Sequence, residues 1–312
     1  MKIRLPQPNQ PQVIIESDKP QDPLRMLDTQ QIKALYIEHG AILFRGFCLN
    51  IAEFSKFSTR FCSNYVSNKS PGREVLSSDG RVQTVNLGSQ YFPLHPEISR
   101  EPWQPDVAWF ACQQPSRLGG ETTICDGVRL AKALSPELYK HLLHSSLAHT
   151  LPTDLKWCSA FLGKDELQAN ELESYSDQAT FQFNVSGEQI FRTYLRPMLH
   201  KPMFCDEWAY GSFLVFARQK LQVRDFPCYA DGSEVSDALV DEIETISNRL
   251  ATAIKWLKDD VLMLDNTRFM HGRNPIGDPQ SRRILTQFGY LSFVPDNYPD
   301  LAKQTWRGAN HA

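Results

Sequence analysis

His95-Pro96-Glu97 and, far along the chain, Asp265-Asn266-Thr267-Arg268-Phe269-Met270-His271-Gly272-Arg273 are the two stretches on which the reading of this 312-residue sequence turns. In an extended strand, residues two apart face the same way, so His95 and Glu97 would present an imidazole and a carboxylate side by side. A second imidazole from elsewhere would complete a two-histidine-one-carboxylate triad. That donor set holds Fe(II) on one octahedral face and leaves three positions open. Alone, the tripeptide is a weak signal, because a solvated His and Glu at this spacing arise by chance. The second stretch raises its weight. It follows a short apolar strand at 261–264 and leads to Arg282-Arg283 at the start of another strand, 284–293. The planar donor fork of an arginine suits the far carboxylate of a dicarboxylic ligand better than a lysine would.

Outward from these stretches the chain reads as α+β with a β core. Asp28 can cap a helix over 28–39 that Gly40 ends, and Asn50 can cap a second with Ile51, Phe54, Phe57 and Phe61 on one face. Further helices fit 128–143 and 235–257. Strands fit 41–47, 109–112, 122–125 and 213–216, and His271 falls in the turn region between the strands at 261–264 and 284–293. The polar stretch 63–88 reads as a loop or hairpin over a site. A single domain spans 1–312, with 1–23 as a Pro-rich extended arm suggesting strand exchange in a homodimer, and 156–186 as a lid or insertion.

Composition excludes several classes. Lys+Arg 33 against Asp+Glu 36 gives a net charge of -3, which argues against a nucleic-acid or anionic-membrane partner. No apolar run reaches bilayer length, and no secretory signal opens the sequence, so the expected location is cytoplasmic. The 7 cysteines contain no CxxC pair and read as reduced core residues rather than disulfides or a zinc ribbon.

Six short segments in order carry a resemblance: Leu43-Phe44-Arg45-Gly46-Phe47, His95-x-Glu97, Gly119-Gly120-Glu121-Thr122, Leu264-Asp265-Asn266, His271-Gly272-Arg273 and Arg282-Arg283-Ile284-Leu285. Together, over roughly residues 40 to 293, they resemble the taurine-dioxygenase-like family of Fe(II)/2-oxoglutarate-dependent oxygenases. The resemblance implies a double-stranded β-helix (jelly roll) with helices packed outside. It implies His95, Glu97 and His271 as iron ligands, with 2-oxoglutarate and O2 as co-substrates. Thr122 and Arg283 match the pair that holds the distal carboxylate of 2-oxoglutarate. Arg282 is the adjacent alternative; strand alternation turns only one of the two inward, and the match to the following apolar residues favours Arg283.

A carboxylate at Glu97 implies hydroxylation rather than halogenation. The HxE form resembles tailoring hydroxylases acting on an amino acid or amino-acid-derived intermediate of secondary metabolism, a small polar substrate either free or tethered to a carrier protein. Desaturation, ring closure and epoxidation belong to the same chemistry. Gln287 falls where taurine-specific members hold a second arginine, and its neutrality argues against taurine. Tyr91, Ile98 and Phe216 are further candidates to line the substrate pocket. The competing reading is a zinc-binding jelly roll, hydrolytic or non-catalytic, in which the same three ligands leave a water position open. Such a protein has no need of a dicarboxylate clamp.

Overall fold

A computed structural model describes residues 1–19, 22–176, 180–296, 298 and 304–308. Its main sheet runs in the order Lys2–Arg4, Val13–Glu16, Ala41–Arg45, Val261–Asp265, Val107–Gln114, Arg283–Leu291, Cys62–Val66, with Gln83–Thr84 also on Arg283–Leu291. A smaller sheet has the order Thr252–Ile254, Thr122–Asp126, Phe269–Arg273, Phe92–His95. Alternation along each strand sorts the side chains into layers. In Ala41–Arg45, Ala41 and Leu43 join Phe110, Leu262, Leu264, Ile284 and Phe288 in a core that also takes Ile124 and Ile254 from the smaller sheet. The two sheets therefore face each other across this core. Ile42 and Phe44 point the other way, against Ile32, Tyr36, Phe54 and Phe57 of the helices Thr29–His39 and Ile51–Thr59.

Helix boundaries follow local chemistry where it was read correctly. Asp28 accepts from the amides of Gln30 and Gln31, Gly40 ends its helix at φ 73°, and Asn50 accepts from Glu53 N. The helix expected over 128–143 is two, Gly127–Ala133 and Pro136–Leu143. Ser135 caps the second through Leu138 N, and Pro136 fits its first turn but could not continue the first helix. The helix expected over 235–257 stops as Asp237–Leu250, because Thr252–Ile254 is drawn into the edge of the smaller sheet. Residues 213–216, expected as a strand, form a helical turn at Leu214–Phe216, and His271 lies within the strand Phe269–Arg273 rather than in a turn.

The N-terminal residues lie on the main sheet: Val13–Glu16 is antiparallel to Lys2–Arg4 and parallel to Ala41–Arg45. The segment 156–186 contributes the helix Leu155–Leu162, a 3-10 turn at Ala169–Tyr175 and the strand Gln182–Ser186 to a third sheet with a small core of its own around Cys158, Leu172, Phe181 and Phe183. None of its described residues lines the cavity below; residues 177–179 of that expectation lie outside the described residues. Among the described residues no helix is long and apolar enough to cross a membrane.

Two buried histidines away from the cavity set an acid limit. Burial, with the charge of Arg196 adding, pushes His149 and His200 down to about 3. The unfolded chain protonates them near pH 6.5, so stability is complete above that value and is lost as pH falls toward 3. Asp265, pushed up to about 6 by burial despite its bonds from Thr267, works in the opposite direction below pH 6. From these three groups alone the net expectation is a loss of about 2–3 kcal/mol between pH 7 and pH 5. Urea midpoints measured across this range should fall accordingly, and His149→Phe should flatten the slope.

Candidate active site

The two imidazoles are a cross-strand pair. Phe92–His95 is an edge strand whose partner is Phe269–Arg273, and the register sets His95 opposite His271 with ring centroids 4.7 Å apart. Gly272 permits this approach, since a Cβ there would stand 2.6 Å from the Phe92 carbonyl oxygen and 2.9 Å from Thr123 Oγ1.

Glu97 arrives by a different route from the one its spacing suggests. The strand stops at His95, and Pro96 has no N–H to continue it. Beyond it, the Asn266 side chain clips the Glu97 backbone at both ends. Its Oδ1 accepts from Glu97 N at 2.7 Å and its Nδ2 donates to Glu97 O at 3.0 Å and Pro105 O at 2.8 Å. Ile98 follows at φ 55°, a conformation a β-branched residue adopts only when its surroundings impose it. The outcome is that one ligand atom each from His95, Glu97 and His271, all buried, lie within 4.8 Å of one another.

The electrostatics suit a divalent cation. His95 Nδ1 faces the Pro93 carbonyl oxygen at 2.8 Å, which can only accept, so Nδ1 carries the hydrogen and Nε2 keeps its lone pair. Burial, reinforced by His271, pushes His95 down to about 3, leaving it neutral as a metal ligand must be. Burial alone would raise Glu97, but Arg73 and the two histidines outweigh it and hold the carboxyl at about 2. Asn68 Nδ2 donates to Glu97 Oε1, and Arg73 Nη2 lies 3.4 Å from Oε2.

The same cavity extends from the triad to Thr122, Arg273 and Arg282. Thr122 Oγ1 accepts from Trp256 Nε1 at 3.0 Å and lies 3.5 Å from Arg282 Nη2, so its own hydroxyl hydrogen is left to donate to a bound acceptor. Arg282 Nε donates to the carbonyl oxygen of Gly120 at 2.7 Å. Gly120 sits at φ 76°, with the Arg282 side chain where its Cβ would be, so the turn needs glycine on both counts. Among the described residues no carboxylate pairs with Arg282. Burial and the neighbouring Arg273 pull it down to about 9, and it still carries its proton at neutral pH.

Several residues singled out from the sequence stand elsewhere. Arg283 is exposed, and Arg282 occupies the cavity in its place. Arg283 opens the strand Arg283–Leu291 with the parity of Leu285, which faces the helices, whereas Arg282 precedes the strand and is directed by its contacts with Gly120 and Thr122. Gln287 shares that outer parity. It is buried against the helix Ile51–Thr59, where its Oε1 accepts from Ser58 at 2.9 Å, and it does not line the cavity. Tyr91 is bound to Asn248 at 3.1 Å, and Ile98 packs on the inter-sheet core; neither lines the cavity. Phe216 packs on His95 with ring centroids 4.5 Å apart. Arg73, Asn68, Asn266 and Arg273 carry site functions that spacing alone did not assign. Asn266 and Arg273 lie inside quoted motifs, but Asn68 and Arg73 come from a loop with no signal beyond its polarity.

Asn266→Ala would leave the Glu97 N–H, the Glu97 carbonyl and the Pro105 carbonyl unpaired in a buried place. The expected result is a stability loss of about 2–4 kcal/mol and metal affinity weakened about 10–100-fold. Denaturant unfolding and metal titration read the two effects separately.

A family model described as taurine catabolism dioxygenase TauD, TfdA family, matches residues 7–288. The chain belongs to this family. It is an Fe(II)/2-oxoglutarate-dependent dioxygenase, an oxidoreductase that uses O2, and the buried His-Glu-His set, with a neutral His95 and an ionised carboxylate, fits Fe(II). The zinc reading therefore falls. Relatives within reach of sequence comparison include a clavaminate synthase-like protein of Arabidopsis thaliana, 26% identical over 293 residues (83% of this chain, 86% of that one). Another is the dapdiamide synthesis protein DdaC of Enterobacter agglomerans, 23% identical over 277 residues (81% and 83%). Among solved structures, PvcB of Pseudomonas aeruginosa, described as an Fe, alpha-ketoglutarate dependent oxygenase from an isonitrile synthetic pathway, has a TM-score of 0.58 at 15% identity. The match covers 92% of this chain and 90% of that one. The mixed α/β architecture is thus shared across these TauD-like structures.

Proposed function

We propose that this TauD-family dioxygenase hydroxylates an unactivated C–H bond of an amino acid or amino-acid-derived intermediate, free or carried on a carrier protein, within a double-stranded β-helix core. The observation that carries the reading is one cavity holding both the triad and a carboxylate clamp. In this reading His95, Glu97 and His271 hold the iron. Arg282 and the free hydroxyl hydrogen of Thr122 hold the distal carboxylate of 2-oxoglutarate. Bound iron with 2-oxoglutarate and O2 supplies the oxidising power, and the co-substrate leaves as succinate and CO2. The protein's part is placement. Asn266 holds the backbone of Glu97, Arg282 orients the co-substrate from its far end, and Phe92 and Phe110 in the lining restrict water near the reacting carbon. The names of two relatives, one of dapdiamide synthesis and one of an isonitrile pathway, support a small biosynthetic intermediate as substrate.

The test begins with an anaerobic titration of metal-free protein with Fe(II) and then 2-oxoglutarate, followed by visible absorption. A weak charge-transfer band requiring both components is expected, and its absence would remove the reading. Amino acids, free and carrier-loaded, are then screened with O2 for stoichiometric succinate release and a 16-Da mass gain on the substrate, as insertion of one oxygen atom requires. Succinate release with a 2-Da mass loss on the substrate would instead point to desaturation or ring closure.

A further inference from the structure

We propose that Arg73 anchors a carboxylate of the primary substrate, which makes that substrate a free organic acid rather than a thioester held on a carrier. The inference rests on the reading above and concerns the same cavity. Arg73 lies in the connection between Cys62–Val66 and Gln83–Thr84, its side chain is only 7% exposed, and it lines the cavity. Its Nη2 is 3.4 Å from Glu97 Oε2, and its guanidinium lies 5.4 Å from the centre of the Phe288 ring. Its Nε and Nη1 are buried and have no hydrogen-bond partner among the described residues. A buried guanidinium with two open donors is costly to maintain, and in a ligand site such donors mark a place where the ligand supplies the acceptors.

Glu97 is an incomplete partner for it. Asn68 occupies Oε1, and Oε2 is 3.5 Å from His271 Nε2, on the side where the three ligand atoms converge. The other cations of the cavity are more fully engaged. Arg282 is bound to Gly120 and placed with Thr122 for the co-substrate, and Arg273 spends both terminal nitrogens on the carbonyls of Asn86 and Gln90, leaving only its Nε open against two open donors on Arg73. Charge points the same way. The lining contains Arg73, Arg273 and Arg282 against Glu97 alone, an excess of two positive charges. Adding Fe(II) and doubly charged 2-oxoglutarate leaves that excess in place. A carboxylate on the substrate would meet it, and the arginine fork is the side chain best shaped to take one. An aminoacyl thioester has no free α-carboxylate to offer.

The experiment uses anaerobic holoenzyme loaded with Fe(II) and 2-oxoglutarate. It is titrated with L-amino acids, N-acetyl amino acids and aryl-acetic acids, each paired with its primary amide, and binding is read from the perturbation of the charge-transfer band. We expect acids to bind and the matched amides to bind at least about 30-fold more weakly. Arg73→Met should close that gap by weakening the acid alone, Arg73→Lys should restore part of it, and the 2-oxoglutarate dissociation constant should move less than about threefold. The acid–amide comparison on the unaltered protein holds whether or not the variants fold. Amides binding as well as acids, no acid binding, or Arg73→Met weakening Fe(II) or 2-oxoglutarate instead would overturn the proposal, the last by showing that Arg73 serves only to position Glu97. Failure of the band itself in the unaltered protein would count against the oxygenase reading, a distinct result.

Discussion

His271→Ala should reduce turnover by at least about 10³-fold while leaving a folded protein, because in the proposed reading it removes one of three protein donors to the iron. Loss of a group that merely orients a metal ligand costs roughly 10–100-fold, and loss of the ligand itself exceeds that. The imidazole is held between His95 and Phe110, with centroid separations of 4.7 and 4.9 Å, and it sits in the middle of a paired strand. The backbone ladder survives the substitution, and the missing ring opens onto a cavity already present. Retained far-UV circular dichroism, iron content near zero after desalting and no charge-transfer band are the expected measurements. Full iron occupancy in His271→Ala would mean that a different donor set holds the metal.

Arg282→Met should raise the dissociation constant for 2-oxoglutarate about 100-fold or more, whereas Arg283→Met should change it less than about twofold. A buried cation paired with one carboxylate of the co-substrate accounts for the size of the first effect. The exposure of Arg283 and its place on the outer parity of the strand account for the second. Iron affinity should stay close to that of the parent in both variants, since neither side chain touches the triad. Arg282→Met also removes a guanidinium that has no carboxylate partner among the described residues, so its thermal midpoint should stay level or rise. The variant does lose the bond to Gly120, which limits any gain. Titrating 2-oxoglutarate into the Fe(II) proteins by charge-transfer absorbance decides the matter. The reverse pattern would return the clamp to Arg283.

Some of this was legible in the residues alone. Helix ends could be read because a cap is a local event: Asp28 reaches amides two and three positions on, and Gly40 adopts a conformation that only its own lack of a side chain makes cheap. The layers of the main sheet could be read because alternation holds within an unbroken strand, as at 41–45 and 261–265. The donor types of the triad, the glycine pair before Thr122 and the order of the motifs carried the family and its cofactors.

What escaped lies where elements end. Side-chain direction propagates by simple parity only inside an element, and beyond its last residue it is set by whatever long-range partner grips the chain. The strand of His95 stops before Glu97, and the carboxylate is brought in by Asn266, 169 residues away, against an unfavourable conformation at Ile98. Arg282 lies outside the end of its strand, just after a 3-10 turn, and its direction is decided by Gly120 and Thr122. Gln287 was read toward the substrate but serves a helix on the other face through Ser58, and the N-terminal arm, read as extended, places its strand beside Ala41–Arg45 in the main sheet. Sequence alone determined the donor chemistry, the capped helix starts at Asp28 and Asn50 and the family. Only the tertiary structure decided which arginine enters the cavity, how the carboxylate reaches the histidines and that Arg73 stands beside it, because each depends on contacts between distant segments that no local periodicity encodes.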